Sequence, residues 1–115
     1  MGYRSEVALA VSKDAMAQFL TTLAKSPPAR QLCFEFSDEV VKDYEDEEGA
    51  LLFKWTQIKW YEGYEPMDAL EAFVNENEEQ TRLVRCGEEG DDTEEKGDLF
   101  SELIYPRIHN SIEIN

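Results

Sequence analysis

Residues 50–61, ALLFKWTQIKWY, gather more β-branched, aromatic and large apolar side chains than any comparable stretch of this chain, and they predict a central strand. A side-chain period of two places Leu51, Phe53 and Trp55 on one face and Ile58 and Trp60 on the other. Two solutions are open. Either both faces of the strand are apolar and covered, or a β-bulge near Thr56-Gln57 shifts the register by one. With the bulge, Phe53, Trp55, Ile58 and Trp60 share a buried face while Lys54, Lys59 and Tyr61 look outward. Without it, a sheet face carrying Trp55 or Trp60 beside Lys59 is left for a partner, or a second copy of the chain, to cover.

The flanking segments supply the rest of a small α+β domain. Residues 6–12 alternate Val7, Leu9 and Val11 against Ala8 and Ala10, the pattern of a strand, and Ser12 caps a helix over 13–25 whose stripe is Met16, Phe19, Leu20 and Leu23. Ser26-Pro27-Pro28 ends it, because proline lacks the N–H that a continuing helix needs. Residues 31–37 read as a second strand, with Leu32, Phe34 and Phe36 inward and Cys33 and Glu35 outward. Residues 38–44 either extend that strand through Val40, Val41 and Tyr44 or form a helix. Pro66 opens a helix whose inner face is Met67, Leu70, Phe73 and Val74 and whose end, over 75–80, is frayed. Residues 81–86 form a fourth strand, 87–97 a mobile acidic loop, 98–104 a last helical turn on Leu99, Leu103 and Ile104, and 107–114 a closing strand. The order is that of a ferredoxin-like βαββαβ domain spanning residues 1–115, an antiparallel sheet with two helices on one face and an added C-terminal strand. That order puts Cys33 and Cys86 on opposite edge strands, roughly 14 Å apart at the usual strand spacing, so no disulfide is expected.

Charge decides which partners are excluded. The chain carries 26 acids and 11 bases, a net of −15, which argues against nucleic acid and anionic membranes as direct partners. The imbalance sits in residues 35–98, with 22 acids against 6 bases, while the ends together are nearly neutral. No apolar run approaches the roughly 20 residues of a membrane-spanning helix, and no signal-peptide pattern opens the chain, so a cytoplasmic protein is expected.

Few constellations could carry chemistry. His109 is the one histidine and alternates outward on the last predicted strand; Cys33 and Cys86 have no metal-ligand spacing, and no Gly-rich phosphate loop is present. No catalytic residue, metal site or cofactor is expected. The carboxylates of Glu88, Glu89, Asp91, Asp92, Glu94 and Glu95 could attract a hard cation weakly or serve hydrolysis, but they lack the alternating spacing of a calcium loop. Their other use is as a binding surface, together with Glu65, Asp68 and Glu71 on the second helix and Glu45, Asp46, Glu47 and Glu48 in the hairpin turn.

Three stretches, MGYRSEVALA, IKWYEGYEPMDAL and LVRCGEEGDDTEE, resemble a family of small acidic proteins of tailed bacteriophages and prophages. The resemblance implies an accessory protein in the cytoplasm of an infected bacterium, and it brings no functional residues with it. It frames the leading expectation: a non-catalytic module that binds a basic or nucleic-acid-handling host protein, as a DNA mimic or anti-defence inhibitor. A homo-oligomeric interaction domain whose acidity serves only solubility is the alternative.

Overall fold

The computed structural model describes residues 3–61, 63–89, 92–106 and 112–114. It is an α+β fold: a five-stranded antiparallel sheet and three α-helices, with a separate two-stranded ribbon. In chain order the elements are β1 (Ser5–Val11), α1 (Met16–Lys25), α2 (Pro27–Phe34), β2 (Glu39–Lys42), β3 (Leu51–Ile58), α3 (Glu65–Glu76), β4 (Thr81–Cys86), β5 (Thr93–Lys96), β6 (Ile104–Pro106) and β7 (Ile112–Ile114). The sheet order is β2-β3-β1-β4-β5, so β1 is the middle strand and β3 its neighbour.

Residues 50–61 adopt the bulged form of the two readings. Ser5 pairs with Ile58 but Val7 with Trp55, so β3 has one residue more than β1 around Thr56-Gln57. Phe53, Trp55 and Trp60 are accordingly buried in one cluster with Ile58 packed against it. The other face is apolar as well, since Leu52 is fully buried with Ala8, Ala10 and Val84. Two layers therefore cover the sheet. The three helices close the first through Phe19, Leu23, Leu32, Cys33, Met67, Leu70, Phe73 and Val74. Ile104, with Leu99, Phe100, Leu103, Ile112 and Ile114 packed around it, closes the second together with Tyr44. Burial of each large side chain contributes about 1.5–3 kcal/mol, so both layers matter to stability.

Several expectations are corrected. Residues 31–37 are not a strand: Pro27–Phe34 is a helix. Ser26 Oγ accepts from the Ala29 N–H at 3.4 Å, Pro27 and Pro28 occupy the first turn where their missing N–H costs nothing, and Ala29, Leu32 and Cys33 recur at helical spacing toward the core. Phe34 and Phe36, expected inside, are exposed, and Leu20 of the expected α1 stripe is half exposed. Ser12 does not cap the first helix through its side chain; its Oγ donates to Gln80 Oε1 at 2.7 Å, and a 3-10 turn over Lys13–Ala15 precedes α1. The expected loop 87–97 contains β5, which makes β4 an interior strand instead of an edge. The expected C-terminal strand is not added to the sheet: β7 pairs with β6, and the rest of residues 107–114, His109 included, lies outside the described residues. Residues 99–103 form turns, without a helix.

Candidate functional site

Two arginines in β4 organise the acids nearest to them. Arg82 is 5% and Arg85 9% exposed, and as residues three apart on a strand they point to opposite faces. Arg82 donates from Nε to the Ile104 carbonyl at 3.0 Å, from Nη1 to the Gly97 carbonyl at 2.8 Å and from Nη2 to Glu95 Oε1 at 2.5 Å. It thus ties the C-terminal layer to the sheet. Gly97 must be glycine: its φ is +83°, and a Cβ there would fall 2.1 Å from the Thr81 carbonyl oxygen. Arg85 grips Asp92 at 2.6 Å and Glu94 at 2.8 Å through Nη2, and donates to Ser5 Oγ at 3.0 Å. Burial pulls its guanidinium down, but the hydrogen bonds to Asp92 and Glu94 outweigh this and hold it above its ordinary value. The Tyr3 hydroxyl completes the network by donating to Asp92 Oδ2 at 2.5 Å. Arg85 and then Tyr3 lower the Asp92 carboxyl below its usual range, and the Asp92 hydrogen bond in turn raises Tyr3.

At the other end of the sheet the acids are unpaired. Val11 pairs with both Leu51 and Thr81, so the end of β1, the start of β3 and the start of β4 lie side by side. The 43–48 turn enters β3 there, α3 finishes there, and the 3-10 turn Glu78–Gln80 leads into β4. Backbone bonds tie these loops together: the Ser12 N–H donates to the Gln80 carbonyl at 3.0 Å and the Asp98 N–H to the Glu78 carbonyl at 2.7 Å. Gly49 lies against Lys13, where a Cβ would come within 3.1 Å of the lysine side chain. One end of the molecule therefore collects Asp14, Asp43, Glu45, Asp46, Glu47, Glu48, Glu76, Glu78, Glu79 and Asp98, all exposed. None forms an ion pair among the described residues.

The turn that carries five of these acids has a defined shape. Asp43, Glu45 and Asp46 have φ of 54°, 57° and 59°, a left-handed conformation that non-glycine residues keep only where surroundings impose it. Asp43 Oδ1 accepts from the Gly49 N–H at 2.8 Å, and buried Tyr44 meets Phe100 edge-on at 5.0 Å.

The opposite, Ser5 end holds a cavity of about 520 Å³ between α2, the bulged end of β3 and the start of α3. Its lining is Arg4, Leu32, Phe36, Asp38, Trp55, Gln57, Ile58, Lys59, Tyr64 and Met67. The bulge turns Gln57 and Ile58 toward it.

No protein-family model, curated protein or solved structure matches this chain.

The expected binding residues divide between these regions. Glu45, Asp46, Glu47 and Glu48 belong to the unpaired acidic end. Asp92, Glu94 and Glu95 are held by the arginines, and Glu71 is held by Lys96 at 2.8 Å and by the Trp60 indole N–H at 3.0 Å. Glu65 and Asp68 are exposed in the first turn of α3, at the far end of the sheet from the hairpin turn, so the fold does not join these two groups into one surface. Glu88 accepts from the Arg4 N–H at 2.7 Å, Glu89 is exposed, and Asp91 lies outside the described residues. No three His, Cys, Asp or Glu side chains among the described residues are placed to hold a metal ion. The open tryptophan face is corrected: Trp55 and Trp60 are 1% and 6% exposed, with Lys59 alone at the surface. Cys33 and Cys86 are free and buried, and burial pushes their thiols up to about 12 and about 11. Sequence reasoning missed the buried arginines. Their signal is a pair of cations inside TRLVRC, one hairpin away from TEEK.

Proposed function

We propose that this protein is a non-catalytic module that docks a basic surface of a partner protein on its acidic end. The observation that carries the reading is the division of carboxylates: Asp92, Glu94 and Glu95 beside β4 are neutralised internally, whereas Asp43, Glu45, Asp46, Glu47, Glu48, Glu78 and Glu79 form no ion pair among the described residues and are displayed on a shaped turn and helix end. Keeping so many like charges together destabilises the compact state and speeds encounter with a cationic partner. The resemblance to small acidic phage proteins makes a bacterial host protein the expected partner, encountered in the host cytoplasm. Mimicry of duplex DNA is the narrower form of this reading. It draws less support, because the helix acids that would have formed a second row with the hairpin lie at the other end of the sheet.

The architecture we propose is the ferredoxin-like one, elaborated by α2, β5 and the C-terminal ribbon. The order β2-β3-β1-β4, with all helices on one face, supports it.

The test is affinity capture from a bacterial lysate by the wild type and by a variant carrying Glu45→Gln, Asp46→Asn, Glu47→Gln and Glu48→Gln, each at 0.1 M and 1 M salt, where screening lengths are about 10 Å and 3 Å. A partner retained only by the wild type and only at low salt supports docking on the acidic end, and displacement of that partner by duplex DNA supports mimicry. Equal capture by both proteins, or capture that survives 1 M salt, sinks the reading.

A further inference from the structure

The Ser5-end cavity has features of a ligand site that owe nothing to the acidic end. Its volume, about 520 Å³, lies in the range of small-molecule pockets. Its floor is fixed and apolar: Trp55, its indole N–H bound to the Leu32 carbonyl at 3.0 Å, is packed beneath it with Leu32 and Met67, all three buried, and half-buried Ile58 is the apolar side chain that the floor leaves open. At the mouth stand Phe36 and Tyr64, 67% and 50% exposed, two large aromatic surfaces left to water beside one another's cavity wall.

The polar lining fixes the sign of the ligand. Asp38 is the one acid in it, and its Oδ2 is taken by the Thr56 N–H at 2.7 Å and the Thr56 hydroxyl at 3.1 Å, where it secures the bulge. Arg4 and Lys59 also line the cavity, and neither side chain forms an ion pair among the described residues. In a chain of net charge −15, two cations against one hydrogen-bonded acid beside an apolar hollow stand out. The Arg4 backbone is meanwhile anchored by its N–H on Glu88 Oε2 at 2.7 Å. A second cavity, of about 660 Å³ between α1 and α3, is lined by Glu65, Asp68 and Glu76 with only Lys25 against them, and would repel an anion.

We propose that the Ser5-end cavity binds a small organic anion with an apolar body, an aryl or medium-chain alkyl carboxylate or sulfonate. The acid head pairs with Arg4 and Lys59, a guanidinium matching the two oxygens of a carboxylate, and the body lies over Ile58 between Phe36 and Tyr64.

The experiment is a calorimetric titration of the whole chain with dodecanoate below its micellar range and with 8-anilinonaphthalene-1-sulfonate, with dodecanol as the uncharged control. The indole N–H resonance of Trp55 serves as a position-specific readout. Expected are saturable one-to-one binding of both anions, a shift of the Trp55 resonance, at least tenfold weaker binding by the Arg4→Ala/Lys59→Ala variant and unchanged binding by Lys25→Ala. Arg4 and Lys59 are exposed, so the double variant should keep the wild-type melting temperature; Tyr64→Ala provides a second weakened variant that leaves the charges in place. Absence of saturable binding at millimolar anion, equal affinity for dodecanol, or undiminished binding by the double variant overturns the proposal. Binding of an acidic peptide but of neither small anion overturns it in favour of a protein ligand.

Discussion

Residues 43–48 and 92–95 are both acid-rich hairpin segments, but the carboxylates of the second close on buried Arg82 and Arg85 whereas those of the first form no ion pair among the described residues. The first is a turn held in shape by its backbone: Gly49 takes a φ of +82°, the Gly49 N–H donates to Asp43, and Tyr44 anchors the loop from below. The second is an edge strand whose side chains complete the solvation of two interior guanidinium groups. Similar composition thus serves stability in one place and leaves a field in the other. What separates them is the strand next door, since β4 supplies arginines to β5 while β3 offers the 43–48 turn none.

The comparison can be broken or sharpened by substitution, with the core as the yardstick. Phe53→Ala or Trp55→Ala should each cost roughly 3–5 kcal/mol by chemical denaturation, the range for deleting a buried aromatic; both rings are within 1% of full burial. A cost under about 1 kcal/mol for both would mean that β3 is not the interior strand on which residues 43–48 are hung.

Next in size is Arg82→Ala. It strips hydrogen bonds from the Ile104 and Gly97 carbonyls as well as from Glu95, and an orphaned buried acceptor costs about 1–3 kcal/mol. A loss of roughly 2–4 kcal/mol is expected, and the C-terminal layer should open first in hydrogen exchange. Stability equal to the wild type would place the arginine among the dispensable surface charges and erase the contrast with residues 43–48.

Asp92→Asn should have a smaller effect, about 1 kcal/mol or less, because the carboxylate is partly solvated. Its signature is in the pH dependence. Asp92 has a folded-state value below its ordinary 3.8, so its contribution is present above that pH and disappears as pH falls through the lowered value. Wild-type stability should therefore drop more steeply than that of the variant below about pH 4. Parallel acid limbs would show that Arg85 does not favour the ionised form.

The smallest change belongs to the free segment. Neutralising Glu45, Asp46, Glu47 and Glu48 together should leave stability within about 0.5 kcal/mol of the wild type or raise it slightly, as relief of repulsion at exposed sites does. A loss of 2 kcal/mol or more would reveal hidden structural work by these acids and remove the basis for treating them as a binding surface.

Much of this was legible in the sequence where one physical requirement dominated a long enough window. Strands over Ser5–Val11, Leu51–Ile58 and Thr81–Cys86, and the helix Glu65–Glu76 with Met67, Leu70, Phe73 and Val74 inward, follow from periodicity alone. The bulge was one of two solutions that periodicity left open, and the pairing of β3 with β1 chose it, letting Phe53, Trp55, Ile58 and Trp60 share a core. Residues 27–36 were not legible. Leu32, Phe34 and Phe36 satisfy a period of two and Ala29, Leu32 and Cys33 satisfy the helical one, and eight residues are too few for pattern to choose between them. Packing chose: the helix buries Leu32 and Cys33 against Trp55 and α3 and gives up Phe34 and Phe36 to the surface. The acids tell the same story. Their number and the hairpin cluster stand in the sequence, but which carboxylates are neutralised depends on the pairing of β4 with β5, and which stand together depends on strand ends meeting across the sheet. Register and strand order join residues dozens of positions apart, and no local propensity encodes them.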